Sequence, residues 1–397
     1  MGKITGIQVE PTLLPEVRKY GNFNLNACYN CGTCTVTCPL TSNGATFSSR
    51  KSIHATQIGA KKHLLGSLDP WLCYYCGDCS TLCPRQTEPG EAMMTLRRYL
   101  TAQYDWTGLS AKFYKSVAWE IGALFAVAAL VLILALVFHG PVITERVTLN
   151  TFAPVHLVHT FDLILLTVLS LFLISNASRM FWFTMVRDGN VKIPLYLFIT
   201  EIKTLLFHAV TQLQLSKCNN KLRWIVHWFL TSGYVLTFIM VVFFLKWFQV
   251  DNVNHYYIYL PRLIGYYGTT VIVIGTVEIL IKRLRKREQM YKFSELSDWI
   301  FPVLLLLTTL SGIAIHVFML LELPLVTYYI YVIHLMIAVP MLVIEVPFSK
   351  WAHLAYRPLA IYFQMIKEKA LQLQERKAVS LSSAGKLSPE VMKINVR

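Results

Sequence analysis

Eight cysteines in two matching runs are the residues best suited to chemistry. Cys28, Cys31, Cys34 and Cys38 precede Pro39, and Cys73, Cys76, Cys79 and Cys83 precede Pro84. Both runs read C-x-x-C-x-x-C-x-x-x-C-P, a spacing that wraps three thiolates round one 4Fe–4S cubane and sends the fourth to its neighbour. Cys28, Cys31, Cys34 and Cys83 are thereby assigned to one cluster, and Cys73, Cys76, Cys79 and Cys38 to the other. Thiolates suit the task because soft donors hold iron in both redox states.

Two other uses of cysteine fit less well. Four disulfides need an oxidising compartment, yet no secretory signal is read before the runs, and the first long apolar stretch starts near Ser116. Structural zincs use C-x-x-C couples a longer span apart, not quartets closed by proline. The ninth cysteine, Cys218, stands alone and reads as a plain thiol. The Met1-Gly2 start has Gly6 where myristoylation wants Ser or Thr, so no lipid is expected there.

The rest of the chain must position these runs. Of its 397 residues 55% are hydrophobic, too many for a soluble chain of this size. They concentrate in six stretches, 116–138, 155–182, 224–246, 262–281, 299–321 and 325–348, each long enough to cross a bilayer. With these spans, 34 of the 37 Lys and Arg fall on one side, and only Arg146, Lys246 and Arg262 on the other. The +15 net charge therefore reads as membrane topology rather than nucleic-acid binding, with both termini and both cysteine runs in the cytoplasm.

Between the runs, Arg50, Lys51, Lys61 and Lys62 lie on a stretch expected to be helical from Ser52 to Leu65. It is either a solvated face or a docking face for an acidic partner. Residues 91–104 read as a closing helix, 105–115 as a link, and 196–215 as one amphipathic helix lying at the inner surface. After Pro358 a charged helical tail is expected, then a disordered Ser-rich end from Ser380 to Ser388.

Histidine within a span is costly unless paired or ligated. His227 opens the third span and His353 follows the sixth, at one depth, as a bis-imidazole haem requires. Arg223 and Arg357 flank that level as candidate partners of haem propionates. His334 lies 19 residues before His353, about 28 Å along one helix. That depth suits an outer haem, with His159, His156 or His316 as second ligand, and Pro340 and Pro347 kinking the helix between the two histidines. Asp162, Glu278 and Glu345 are either structural partners or proton carriers for a quinone. Lys246 and His255 are weaker candidates for quinone contact.

These residues also carry a resemblance. ACYNCGTCTVTCP, SSRKSIHATQIG, WLCYYCGDCSTLCP and MTLRRYL, within residues 27–98, resemble the small iron–sulfur subunit of heterodisulfide reductases. Residues 222–360, above all HLMIAVPMLVIEVPFSKWAHLAYRPL, resemble the membrane cytochrome b of that group and of respiratory nitrate reductase. His334, His353 and His227 (in LRWIVH) fall on haem-ligand positions of that family, while the fourth position holds Thr237. A chain joining both parts resembles the fused iron–sulfur and cytochrome b subunit of the quinone-interacting membrane-bound oxidoreductases of sulfate reducers.

The resemblance implies a mainly α fold: a two-cluster ferredoxin-like domain over residues 1–105, then a six-helix cytochrome b bundle over 106–360, then a charged cytoplasmic tail. It implies two haem b groups, menaquinone, two cytoplasmic flavin/iron–sulfur partner subunits and delivery of electrons towards adenylylsulfate reductase. Rival readings are the membrane arm of a heterodisulfide reductase or sulfite-reduction complex and, from another class, a transporter or sensor whose clusters report redox state.

Overall fold

The two cysteine runs build the same local structure twice. After the second cysteine of each stands a glycine at positive φ, Gly32 at 89° and Gly77 at 94°. Each opens a one-turn helix that carries the third cysteine, α2 (Thr33–Val36) and α6 (Asp78–Thr81). A side chain at that φ is strained, so the turn depends on glycine. The computed structural model describes residues 8–21, 23–41, 47–187, 191–217, 221–251 and 260–383. Gly6, Cys218, His255 and residues 384–388 of the Ser-rich end lie outside them.

Every regular element among the described residues is helical. Around the cysteine loops pack α1 (Leu13–Arg18), α3 (Ser49–Gln57), α4 (Lys61–Gly66), α5 (Asp69–Leu72) and α7 (Pro89–Tyr104). The expected helix from Ser52 to Leu65 is two helices instead, because Gly59 takes a φ of 74° between α3 and α4. The 105–115 link contains its own helix, α8 (Leu109–Lys115). Asp105 starts it by accepting the Thr107 and Ser110 N–H groups, both at 2.8 Å.

Six helices have the length and apolar composition to cross a membrane. They are α9 (Val117–Phe138), α11 (Val155–Phe181, continued by a π-turn to Val186), α14 (Lys221–Phe248), α15 (Leu260–Arg285), α17 (Ser297–Leu320) and α18 (Pro324–Phe348). Between α9 and α11 lies the short α10 (Leu149–Phe152). The outer faces of these helices stay apolar, as at Leu130, Ile133 and Leu136 of α9, which suits lipid contact. The chain is a multi-pass membrane protein.

Two expectations change here. The 196–215 segment is α12 (Tyr196–Thr200) and α13 (Ile202–Thr211), broken where buried Glu201 turns to Lys369 at 2.6 Å. Leu206 and Val210 are exposed on α13. The charged helix expected after Pro358 is present, but it does not stand apart as a tail, and it continues through Ser380–Ser383, where disorder was expected. After α16 (Gln289–Lys292) and the last two spans, α19 (His353–Ser383) buries Tyr356, Ala360, Ile366 and Ala370 in the core of the cysteine domain. The Trp71 ring lies 4.9 Å from Tyr356, and Tyr104 lies 5.6 Å from Tyr356. The sequence pattern concealed this because charged residues alternate with the buried ones on a helix with two dissimilar faces.

A buried charge cluster ties the cysteine domain to the spans. Asp298 of α17 receives Arg98 of α7 at 3.0 Å, Arg283 of α15 at 3.9 Å, and Lys350. Arg98 also meets Glu91 at 3.1 Å. Replacing Asp298 by Ala takes the carboxylate from Lys350 and Arg283 and leaves Arg98 with Glu91 alone, and is expected to cost about 3–5 kcal/mol. A lowered thermal unfolding midpoint of the solubilised protein checks this, and an unchanged midpoint refutes it.

Candidate functional site

The first cysteine run sits at the surface and the second deeper. Cys31 is exposed, whereas Cys73 is buried. Cys28 lies near enough to Cys34, Cys83 and Cys31 to feel their charges, and Cys38 to feel Cys73 and Cys76. The fourth cysteine of each run thus lies with the other run's first three. Burial pushes the Cys38 thiol up to about 11. The Cys31 thiol is drawn down, first by the Thr33 hydroxyl at 3.3 Å and then by backbone N–H groups. Among the described residues no disulfide joins any of the eight cysteines.

The two loops are held by different donors. Gln57 Nε2 donates to the Cys28 carbonyl at 3.1 Å and to that of Leu25 at 2.8 Å. Around the second loop the donors are guanidinium groups. Arg97 donates to the Pro70 carbonyl at 2.5 Å and to that of Cys73. Arg223 donates to the Tyr74 and Tyr75 carbonyls, both at 3.1 Å, and Arg357 to those of Trp71 at 3.3 Å and Cys73 at 3.4 Å. Sequence reasoning assigned Arg223 and Arg357 to propionates and missed this clamp and Arg97. An arginine buried in α7 beside a cysteine run was the available signal.

Each of those arginines stands one helical turn from a histidine, Arg223 before His227 and Arg357 after His353. The His227 and His353 rings lie 6.3 Å apart between centroids and are tilted by 62°. His353 Nδ1 donates to the Lys350 carbonyl at 2.5 Å, and His227 Nδ1 to Gln212 Oε1 at 2.6 Å. Carbonyl oxygens can only accept, so both rings carry the proton on Nδ1 and the lone pair on Nε2. Burial, above all, pushes His353 down to about 3, which keeps the ring neutral. A centroid separation of 6.3 Å is about what one metal held about 2 Å from a nitrogen of each ring would require.

Both rings line a cavity of about 230 Å³ between the cysteine domain and the ends of α14, α15 and α17 that face it. Seven Lys and Arg side chains line it against two carboxylates, Glu278 and Asp298. Lys282 meets Glu278 at 2.7 Å. The remaining excess of positive charge would be neutralised by the carboxylates of a haem, so the donor set fits that group. His353 does not continue the sixth span. The chain breaks at Ser349 and makes a 3-10 turn over Lys350–Ala352 before α19, so no single helix joins His334 to His353.

The outer candidates do not come together in the same way. His334 Nδ1 faces Ser311 Oγ at 2.9 Å, His159 Nε2 the Val242 carbonyl at 2.9 Å, and His316 Nε2 the Tyr266 hydroxyl at 2.8 Å. His156 is exposed. Thr237 packs against Gly268 of α15. Asp162 is half-buried near His159, and Lys246 is exposed. Glu345 is fully buried and accepts the Lys350 N–H at 3.2 Å. On the domain surface, Arg50 lies over Gly32 and beside Cys31, with Lys51 and Lys62 exposed and Lys61 paired to Glu10 at 3.2 Å.

A family model described as a 4Fe–4S dicluster domain matches residues 21–87. A heterodisulfide reductase C-subunit-like protein of Archaeoglobus profundus is 30% identical over 97 residues, 24% of this chain and 52% of that protein. The chain thus spans about half the length of that relative. No solved structure matches the chain. The eight N-terminal cysteines hold two 4Fe–4S clusters, and with six membrane-length helices they make this a membrane-associated iron–sulfur electron-transfer protein distantly related to that relative.

Proposed function

We propose that the chain is the membrane subunit of a quinone-linked oxidoreductase, of the kind in which quinone-interacting membrane-bound oxidoreductases fuse an iron–sulfur domain to a cytochrome b. In this reading electrons pass between menaquinone, haem b and the two clusters, to or from cytoplasmic flavin/iron–sulfur subunits and towards adenylylsulfate reductase. The observation that carries it is the His227–His353 pair, two neutral imidazoles spaced for one iron beside the loop of Cys73. Bound there, a haem supplies one-electron transfer.

The residues of the chain supply the rest. Gln212 and the Lys350 carbonyl fix the two rings. Arg97, Arg223 and Arg357 hold the Cys73 loop against the helices that bear the rings, which shortens the gap an electron must cross. The 34-to-3 distribution of Lys and Arg supports a cytoplasmic position for the clusters. The exposed Lys51 and Lys62, together with Arg50 beside Cys31, offer an acidic partner a docking face. A second reading, the membrane arm of a heterodisulfide reductase, is favoured by the similarity to the Archaeoglobus profundus protein.

Purified full-length protein is expected to yield about eight irons and eight acid-labile sulfides per chain, apart from haem iron, with a b-type pyridine haemochrome. Haem that is reduced by a menaquinol analogue supports the quinone link. Clusters without porphyrin would remove the cytochrome reading and favour a sensor.

A further inference from the structure

Two glutamates outside the charge cluster lie buried where the cysteine domain meets the bundle. Glu120 of α9 is 1% exposed and Glu345 of α18 is 0% exposed. Each has one carboxyl oxygen, Oε1, with no hydrogen-bond partner. They lie near enough for their charges to act on each other, with Ser349 beside both. Two buried carboxylates in such proximity resist being ionised together, and the cost falls when one binds a proton.

Glu345 is also wired to His353 through a single residue. Lys350 N–H donates to Glu345 Oε2 at 3.2 Å, and the Lys350 carbonyl accepts from His353 Nδ1 at 2.5 Å. The two bonds lie on the peptide groups either side of the Lys350 Cα, so charge on the carboxyl pair acts through space on a ring one residue away, the kind of outer contact that tunes a metal ligand. The other charged and titratable groups facing the pair are Asp298 of α17, Tyr114 of α8 and Lys350 itself. Lys350 Nζ is engaged by Asp298, and its charge also acts on Glu345.

We infer that Glu120 and Glu345 form a redox-linked proton site, binding one proton when an electron reaches a metal held by His227 and His353 and releasing it when the electron leaves. This rests on the haem reading above. One electron enters the metal, one proton from the aqueous phase adds to a carboxylate oxygen of the pair, and no covalent bond between heavy atoms changes. The site would move a proton with each electron that crosses the cavity.

The test is an optical redox titration of the b-type absorbance in full-length solubilised protein at several pH values, for wild type and Glu120→Gln/Glu345→Gln. The wild-type midpoint is expected to fall as pH rises, towards about 59 mV per pH unit, the tenfold-per-proton limit for one electron. The double variant, with its absorbance intact, is expected to be flat. Redox-difference infrared spectra should show a protonated-carboxyl band in the wild type that Glu345→Gln removes. A wild-type midpoint independent of pH, or a slope kept by the variant, overturns the inference and leaves the haem reading standing. Absence of porphyrin overturns both.

Discussion

Replacing Cys38 by Ser is expected to remove the cluster held by Cys73, Cys76 and Cys79 while sparing the one beside Cys31. Cys38 belongs to the first run by sequence, yet the thiols whose charges act on it are Cys73 and Cys76. In turn Cys79 is acted on by Cys73, Cys76, Cys34 and Cys38. A serine hydroxyl is a harder, weaker ligand for iron than a thiolate. Cluster iron should therefore fall from about eight to about four per chain, with one of two reduced-cluster EPR signals lost. Cys83→Ser should give the mirror result, because Cys83 lies with Cys28, Cys31 and Cys34. Loss of the Cys31 cluster in the Cys38 variant, with the Cys73 cluster retained, would sink the crossed assignment.

Covalent pattern and hydropathy were the legible parts. The cysteine runs needed no tertiary information because their spacing is local, and repetition with proline made it specific. Span positions followed from length and apolarity alone, so α9, α11 and α18 fall within a few residues of expectation. What depended on long-range contact was hidden. Nothing local in Glu201 says that it pairs with Lys369 and breaks a helix, and nothing in Tyr356 or Ile366 says that they complete a core built from residues between Leu13 and Tyr104.

The arginines show the same limit. Their types and their spacing to the histidines were readable, but their carbonyl partners at residues 70–75 lie 148 or more residues away for Arg223 and 284 or more for Arg357. The clamp nevertheless explains why the cysteine domain and the cavity form one unit. Two helices that each carry a ring also grip the loop of one cluster. A shift of either helix moves the ring and the Cys73 loop together.

Replacing His353 by Ala is expected to abolish the low-spin b-type signal of the cavity while both clusters remain. His353 heads α19, where Tyr356 and Ala360 anchor the helix in the cysteine domain, so the backbone has reason to stay in place when the ring is lost. The truncation leaves His227 facing an empty side and the Lys350 carbonyl without its donor, a loss of about 1–3 kcal/mol that the domain can absorb. His227→Ala should do the same from α14, whereas His156→Ala, at an exposed position, should leave the signal unchanged. The measurements are the reduced-minus-oxidised spectrum and acid-labile sulfide on the same preparation. Sulfide near the wild-type value with the signal gone identifies a ligand. Loss of both identifies a collapsed chain, and His334→Ala then reports whether a second centre exists, since His334 faces Ser311 and not the cavity. If the signal survives intact in both His227→Ala and His353→Ala, the 6.3 Å ring pair is packing and not a metal site.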